Sequence, residues 1–209
     1  REYIGSSKKA KESFSFAIPK KEQLKFFGDE QAEKLFFQAV EKFESIGGKA
    51  IEIDYKPFNE SANLLYSGPW VTERYIAIKD MITKTPQFVE KTVRTIISGG
   101  DKIDAVNYFE SEYTLKKNRK IADKIFGEFE FMLTPTTGTI YKIDEVNDDP
   151  IQLNTNLGYY TNFMNLLDLS AIAVPAGFRE NGLPFGVTIV ADNFEDEKIL
   201  SYSSKYLGV

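Results

Sequence analysis

In "DEQAEKLFFQAVEKFESIGGKAIEID", residues 29–54, a helical period gives way to a strand pattern, the signature of an α/β unit. Asp29 suits a helix N-cap, since its carboxylate can accept the free amides of a first turn. Ala32, Leu35, Phe36, Ala39, Val40, Phe43 and Ile46 recur at helical spacing, and Gly47-Gly48 offers a left-handed exit. "KAIEID", residues 49–54, then reads as a strand. Upstream, "SFSFAIP", residues 13–19, alternates polar and apolar side chains and stops at proline, which is a second strand. Strand, helix and strand within about forty residues predict a parallel crossover unit.

Downstream the pattern turns helical. Segments at 59–66, from Pro69, at 86–97 and at 104–126 carry helical signals. In the last of these Phe109, Tyr113, Ile121 and Ile125 mark the expected buried side, and "KKNRK" (116–120) an expected solvated face. "EFEFMLTPTTGTIY" (128–141) reads as a short strand entering a threonine-rich loop. A polar loop through "NDDP" follows, then a helix at 155–167. "AIAVPAGFRENGLPFGVTIV" (171–190) is two apolar runs around Asn181-Gly182, a hairpin whose Pro175 and Pro184 should push the pairing outward from the turn. No internal repeat or composition break divides the chain. The expected class is α/β, a mixed β-sheet flanked by helices on both sides, in a single domain.

The 209 residues have a net charge of −5, with lysines scattered along the chain. That balance argues against a nucleic-acid face or a membrane-surface helix. No apolar run approaches the roughly 18 to 20 residues of a membrane span, and the start has no signal-peptide core. The expectation is a soluble, cytoplasmic protein whose partners are small molecules or proteins. There is no histidine and no cysteine, which removes disulfides, zinc thiolate sites, thiol nucleophiles and the commonest general base. Acyl transfer would need serine with lysine. A first residue of Arg1 in place of methionine fits a processed product or a fragment.

"ISGGDK" (97–102) lacks the spacing of a phosphate loop and follows a helix. Asp148 and Asp149 before Pro150 read as solvated turn residues rather than metal ligands, and neither metal nor cofactor is expected. The hydroxyls of "TPTTGT" (134–139) leave a strand's carboxyl end, where open α/β sheets place ligands, although a structural turn is the stronger reading there. "LLYSGPWVTERY" (64–75) has a sharper physical content. Gly68 interrupts a helix and Pro69 suits the start of another, whose first amides and positive dipole end attract an anion. Arg74 follows about one and a half turns later, and Tyr66 stands just before the break. Together they make a carboxylate-binding corner, guanidinium for charge and phenol for a directed hydrogen bond. Arg74 paired with Glu73 or Asp54, with Tyr66 and Trp70 simply packed, explains the same residues equally well.

Two segments bear on the choice. "FEFMLTPTTGTI" and "NLLDLSAIAVPAGFRENGLPFGVTIV" resemble the carboxyl-terminal half of the amidase signature family; "LKFFGD", "LLYSGPWVTERY" and "LGYYTNFMNLLDLSAIAVPAGF" are similar to its allophanate hydrolase branch. The likeness runs from about residue 14 to 190. It implies hydrolysis of allophanate, a small anionic urea derivative, to ammonia and carbon dioxide in urea degradation, through a Ser, cis-Ser, Lys triad. That triad belongs to a Gly-Ser-rich segment of the family's amino-terminal half, which the 209 residues lack. Ser6-Ser7 and Ser203-Ser204 stand in segments without that character. Residues 1–209 are therefore expected to form the carboxyl-terminal half of an amidase signature domain, with no catalytic residue of their own and no activity alone. The resemblance makes Tyr66 and Arg74 substrate-recognition groups and Thr136 and Thr137 rim residues of the pocket. It also implies the remaining half of the domain, a urea carboxylase and a second copy as partners. Another amidase acting on a different carboxamide, and a non-catalytic binding or assembly module, are the alternatives.

Overall fold

Phe14, Phe16 and Ile18 alternate with Ala17 along β1 (Phe14–Pro19), and the two sets enter different hydrophobic cores on opposite faces of one sheet. The computed structural model describes residues 9–209, so Ser6 and Ser7 lie outside the described residues. After β1 comes α1 (Glu30–Ser45), capped by Asp29, whose carboxylate accepts from the Ala32 amide at 2.8 Å. Ala32, Phe36, Ala39, Val40 and Phe43 are its buried face. Gly47 ends it at φ 101°, and a Cβ there would sit 1.9 Å from the Glu12 carbonyl oxygen, so both dihedral and space require glycine. β2 (Gly48–Ile53) then pairs parallel with β1, which is the expected crossover.

The remaining elements are α2 (Lys56–Ser67), α3 (Trp70–Lys84), α4 (Lys91–Ser98), α5 (Ala105–Glu128), β3 (Met132–Pro135), α6 (Ile143–Asp148), α7 (Pro150–Leu157), α8 (Phe163–Leu166), β4 (Ser170–Phe178), β5 (Pro184–Ala191) and α9 (Asp196–Leu207). The sheet runs β2-β1-β3-β5-β4, parallel from β2 through β1 to β3 and antiparallel from β3 through β5 to β4. Helices α1 and α9 cover one face; α2, α5 and α8 cover the other. The first core is built of rings: Phe131 lies 5.9 Å from Phe14, 5.2 Å from Phe16 and Phe43, and 5.1 Å from Tyr202 between centroids. Such tilted and offset contacts suit the ring quadrupoles and add to the gain from burial. The second gathers Tyr55, Phe58, Phe126, Met132, Tyr160 and Phe163.

Four local expectations need correction. On α5 the buried face is Asn118, Ala122 and Phe126, while Phe109 and Tyr113 are 54% and 66% exposed. The apolar stripe changes phase along the helix, since Phe109 and Tyr113 continue, at 100° per residue, toward Lys117 and Lys120. For the same reason "KKNRK" is not a uniform solvated face. Asn118 is buried and donates to Ser61 Oγ at 3.2 Å, and Arg119 donates to the Leu167 carbonyl and pairs with Asp192. The helix expected at 155–167 is split into α7 and α8, because Tyr160 drops into the core and hydrogen-bonds the Lys25 backbone amide at 2.7 Å. In the hairpin, pairing reaches inward as far as Phe178 opposite Pro184; Pro184 begins its strand and Pro175 borders a bulge at Gly177, where a missing amide proton is tolerated. Asp149, by contrast, is a turn residue as expected, capping α7 through the Gln152 amide.

Candidate functional site

The break between α2 and α3 is built by two residues. Gly68 closes α2 with its amide on the Leu64 carbonyl at 2.9 Å, and a Cβ at Gly68 would lie 2.6 Å from that oxygen. Pro69, at φ −69°, then starts α3 without any side-chain cap. The second helix is held by its buried Val71 and by Thr72, whose hydroxyl donates to the Gly100 carbonyl at 2.8 Å. Tyr66 and Arg74 therefore flank a rigid corner. The guanidinium carbon stands 5.2 Å from the centre of the Tyr66 ring, a cation–π distance.

Arg74 forms no ion pair among the described residues. Glu73 lines a different, mostly apolar cavity with Ile76 and Tyr108. Asp54 is occupied by the Gln23 side-chain amide at 2.6 Å and the Lys56 backbone amide at 3.0 Å, bonds that hold its carboxyl below the usual carboxylate range. Tyr66 is not packed away either, being 49% exposed. The arrangement leaves a cation and a phenol facing solvent side by side, which is the chemistry of a carboxylate acceptor.

Tyr66 also lines a cavity of about 390 Å³ with Asn59, Asn63, Ser67, Thr155, Tyr159 and Asn162, between α2 and the α7–α8 turn. Burial pushes the Tyr159 phenol pKa up, and its hydroxyl donates to the Gln23 carbonyl at 3.1 Å. Asn59, Asn63 and Tyr66 at i, i+4 and i+7 were a readable signal for one helical face; Asn162 had none.

Thr136 and Thr137 do not line that cavity. Their hydroxyls are used at the end of the sheet: Thr136 Oγ1 meets Thr188 Oγ1 at 2.9 Å, and Thr137 donates to the Thr139 carbonyl at 3.0 Å. Thr139 in turn donates to Asp29 at 3.1 Å, and Asp29 is paired with the buried Arg179 at 3.2 Å. Thr137, Thr139, Asp29 and Arg179 are linked in one chain of bonds, and Thr136 pairs separately with Thr188; Tyr66 and Arg74 stand together at the α2–α3 corner, apart from these threonines. Among the described residues no group of three acidic side chains is placed to hold a metal ion, and no helix is long and apolar enough to cross a membrane.

Residues 1–200 match the family model described as amidase. Urea amidolyase from Saccharomyces cerevisiae is 37% identical over 99% of this chain, and that from Lachancea kluyveri 35% identical over 93%; in each case the chain spans 11% of the relative's length. A solved allophanate hydrolase from Kluyveromyces lactis superposes on 96% of the chain with a TM-score of 0.89 at 33% identity, and this chain covers 33% of it. The mixed sheet with helices on both faces is thus the fold of this part of that structure.

Proposed function

The chain belongs to the amidase family, and from that premise we propose that it is the substrate-recognising part of an amidohydrolase acting on allophanate, with Arg74 and Tyr66 holding the substrate's carboxylate. The guanidinium offers two parallel N–H donors to the two carboxylate oxygens, and the Tyr66 hydroxyl adds a third. Fixing that end orients the amide carbonyl for attack and removes orientational freedom before the bond is made. The nucleophilic serine, its cis-serine partner and the lysine belong, by the resemblance, to the remaining half of the domain, which this chain completes. A urea carboxylase on the same or an associated polypeptide, a second copy of the domain and a cytoplasmic setting are parts of the same proposal. What supports the reading is one observation above others: a guanidinium without a carboxylate partner, against a half-exposed phenol, in a chain one third identical to a solved allophanate hydrolase.

The test is Arg74→Ala and Arg74→Lys in the complete amidase domain. Arg74→Ala should cost about 2 to 5 kcal/mol in kcat/KM for allophanate, and Arg74→Lys should recover only part, because an ammonium lacks the planar two-point geometry. Activity on biuret, which has no carboxylate, should fall much less. Equal losses on both substrates with a lowered Tm would make Arg74 a structural residue instead.

A further inference from the structure

Asn59, Ala62, Asn63, Tyr66 and Ser67 fall at i, i+3, i+4, i+7 and i+8, a single face of α2 that lines the cavity, while Phe58, Ser61 and Leu65 bury the other side. Asn162 enters from the turn before α8, and its carboxamide fills the place of a side chain at Gly158, where a Cβ would meet Asn162 Nδ2 at 2.6 Å. Any larger residue at 158 would move it. Apart from that of Tyr66, the hydroxyls around the cavity are already used: Ser67 donates to the Asn63 carbonyl, Thr155 to the Ile151 carbonyl and Tyr159 to the Gln23 carbonyl. The three carboxamides make no hydrogen bond to the protein among the described residues. No charged side chain lines the cavity.

We propose that Asn59, Asn63 and Asn162 are specificity-determining residues that bind the uncharged carboxamide or urea end of the ligand whose carboxylate Arg74 and Tyr66 hold. The inference rests on that reading of Arg74 and Tyr66 and extends it to the rest of the ligand. Each carboxamide presents two N–H donors and a carbonyl acceptor, so it can satisfy both the N–H and the C=O of an amide. A hydrocarbon end would strip water from these groups and return nothing, and a second carboxylate would use the donors but leave the carbonyl oxygens facing like charge. A terminal amide is the end group that uses all of them.

Competitive inhibition of the full-length enzyme separates the two parts of the site. Malonamate has a carboxylate and a terminal carboxamide; butyrate has the same carboxylate on a similar skeleton with an alkyl end. Asn63→Ala and Asn162→Ala should each weaken malonamate about tenfold, the loss of one good hydrogen bond, and leave butyrate within about twofold. Arg74→Ala should weaken both. Unchanged malonamate binding in both asparagine variants, with Arg74→Ala still weakening both ligands, overturns this inference and keeps the carboxylate reading. If Arg74→Ala affects neither ligand, the carboxylate reading itself fails. Equal loss of malonamate and butyrate in the asparagine variants, with a lower Tm, assigns them to packing and also overturns the proposal.

Discussion

Phe131 and Phe109 are the same side chain in opposite circumstances. Phe131 is fully buried against Phe14, Phe16, Phe43 and Tyr202 at the centre of the sheet's first core. Phe109, on the first half of α5, is 54% exposed, and among the described residues its ring contacts are with its helix neighbours, Tyr108 at 5.5 Å and Tyr113 at 6.3 Å. The contrast extends to whole regions. The sheet with α1, α2, α8 and α9 buries rings on both faces, whereas the arm formed by α3, α4 and the start of α5 exposes Ile76, Phe88 and Val106 as well. Aromatic content therefore says little about where a core lies; the phase of the stripe against a packed neighbour decides it. Within the arm, directed polar bonds tie the helices to one another, Thr72 to the Gly100 carbonyl and Arg94 to the Pro86 carbonyl, each at 2.8 Å.

The comparison is most directly broken by truncating one ring in each region. Phe131→Ala should destabilise by about 3 to 5 kcal/mol, through lost transfer energy and the cavity left behind. Phe109→Ala should stay within about 0.5 kcal/mol. Denaturant titration of the two variants measures both, and similar losses would mean that the arm is a second core.

A smaller effect is expected where the regions join. Arg119 donates to the Leu167 carbonyl and to the Asp168 carbonyl at 3.0 Å, pairs with Asp192, and contacts Asp123 at 2.7 Å. Its side chain is three-quarters covered, so Arg119→Ala leaves carbonyls and Asp192 partly desolvated without a donor, for which about 1 to 3 kcal/mol is expected. Amide exchange should then accelerate in α5 before it does in β1, β3 and β5. Uniform acceleration would show that Arg119 serves the whole fold.

The mildest probe is pH. Burial raises the phenol pKa of Tyr55, Tyr160 and Tyr202, the last to about 12. A folded-state pKa above the unfolded value of about 10 contributes stability that is complete below pH 10 and is lost as pH rises through the folded value. Denaturant midpoints should hand back this contribution only above pH 10. Tyr202→Phe should flatten the alkaline decline, and an unaltered slope would remove Tyr202 from the account.

Much of the fold was legible from residues close together in the chain. Asp29 as a cap, Gly47 as a left-handed exit and the alternation through Phe14, Phe16 and Ile18 specify β1, α1 and β2 within a few residues of each feature. Tyr66 and Arg74 were legible as a pair because Gly68 and Pro69 set the corner between them. The hydrogen bonds around Thr136 and Thr137 were not, since Thr136 meets Thr188 and Thr139 donates to Asp29, both remote in sequence.

The parallel crossover, the hairpin around Asn181-Gly182, the helix break at Gly68-Pro69 and the family likeness can be read from the order of residues alone, because caps, turns and periodicity act over one or two helical turns. That Asn118 is buried and Phe109 is not, that Tyr160 splits a helix to reach Lys25, and that Asn162 faces Asn59 and Asn63 across one cavity emerges from the packing of distant segments. Those outcomes turn on which distant surface arrives against each face. Burial and hydrogen-bond pairing are properties of two surfaces, and a local pattern describes only one of them.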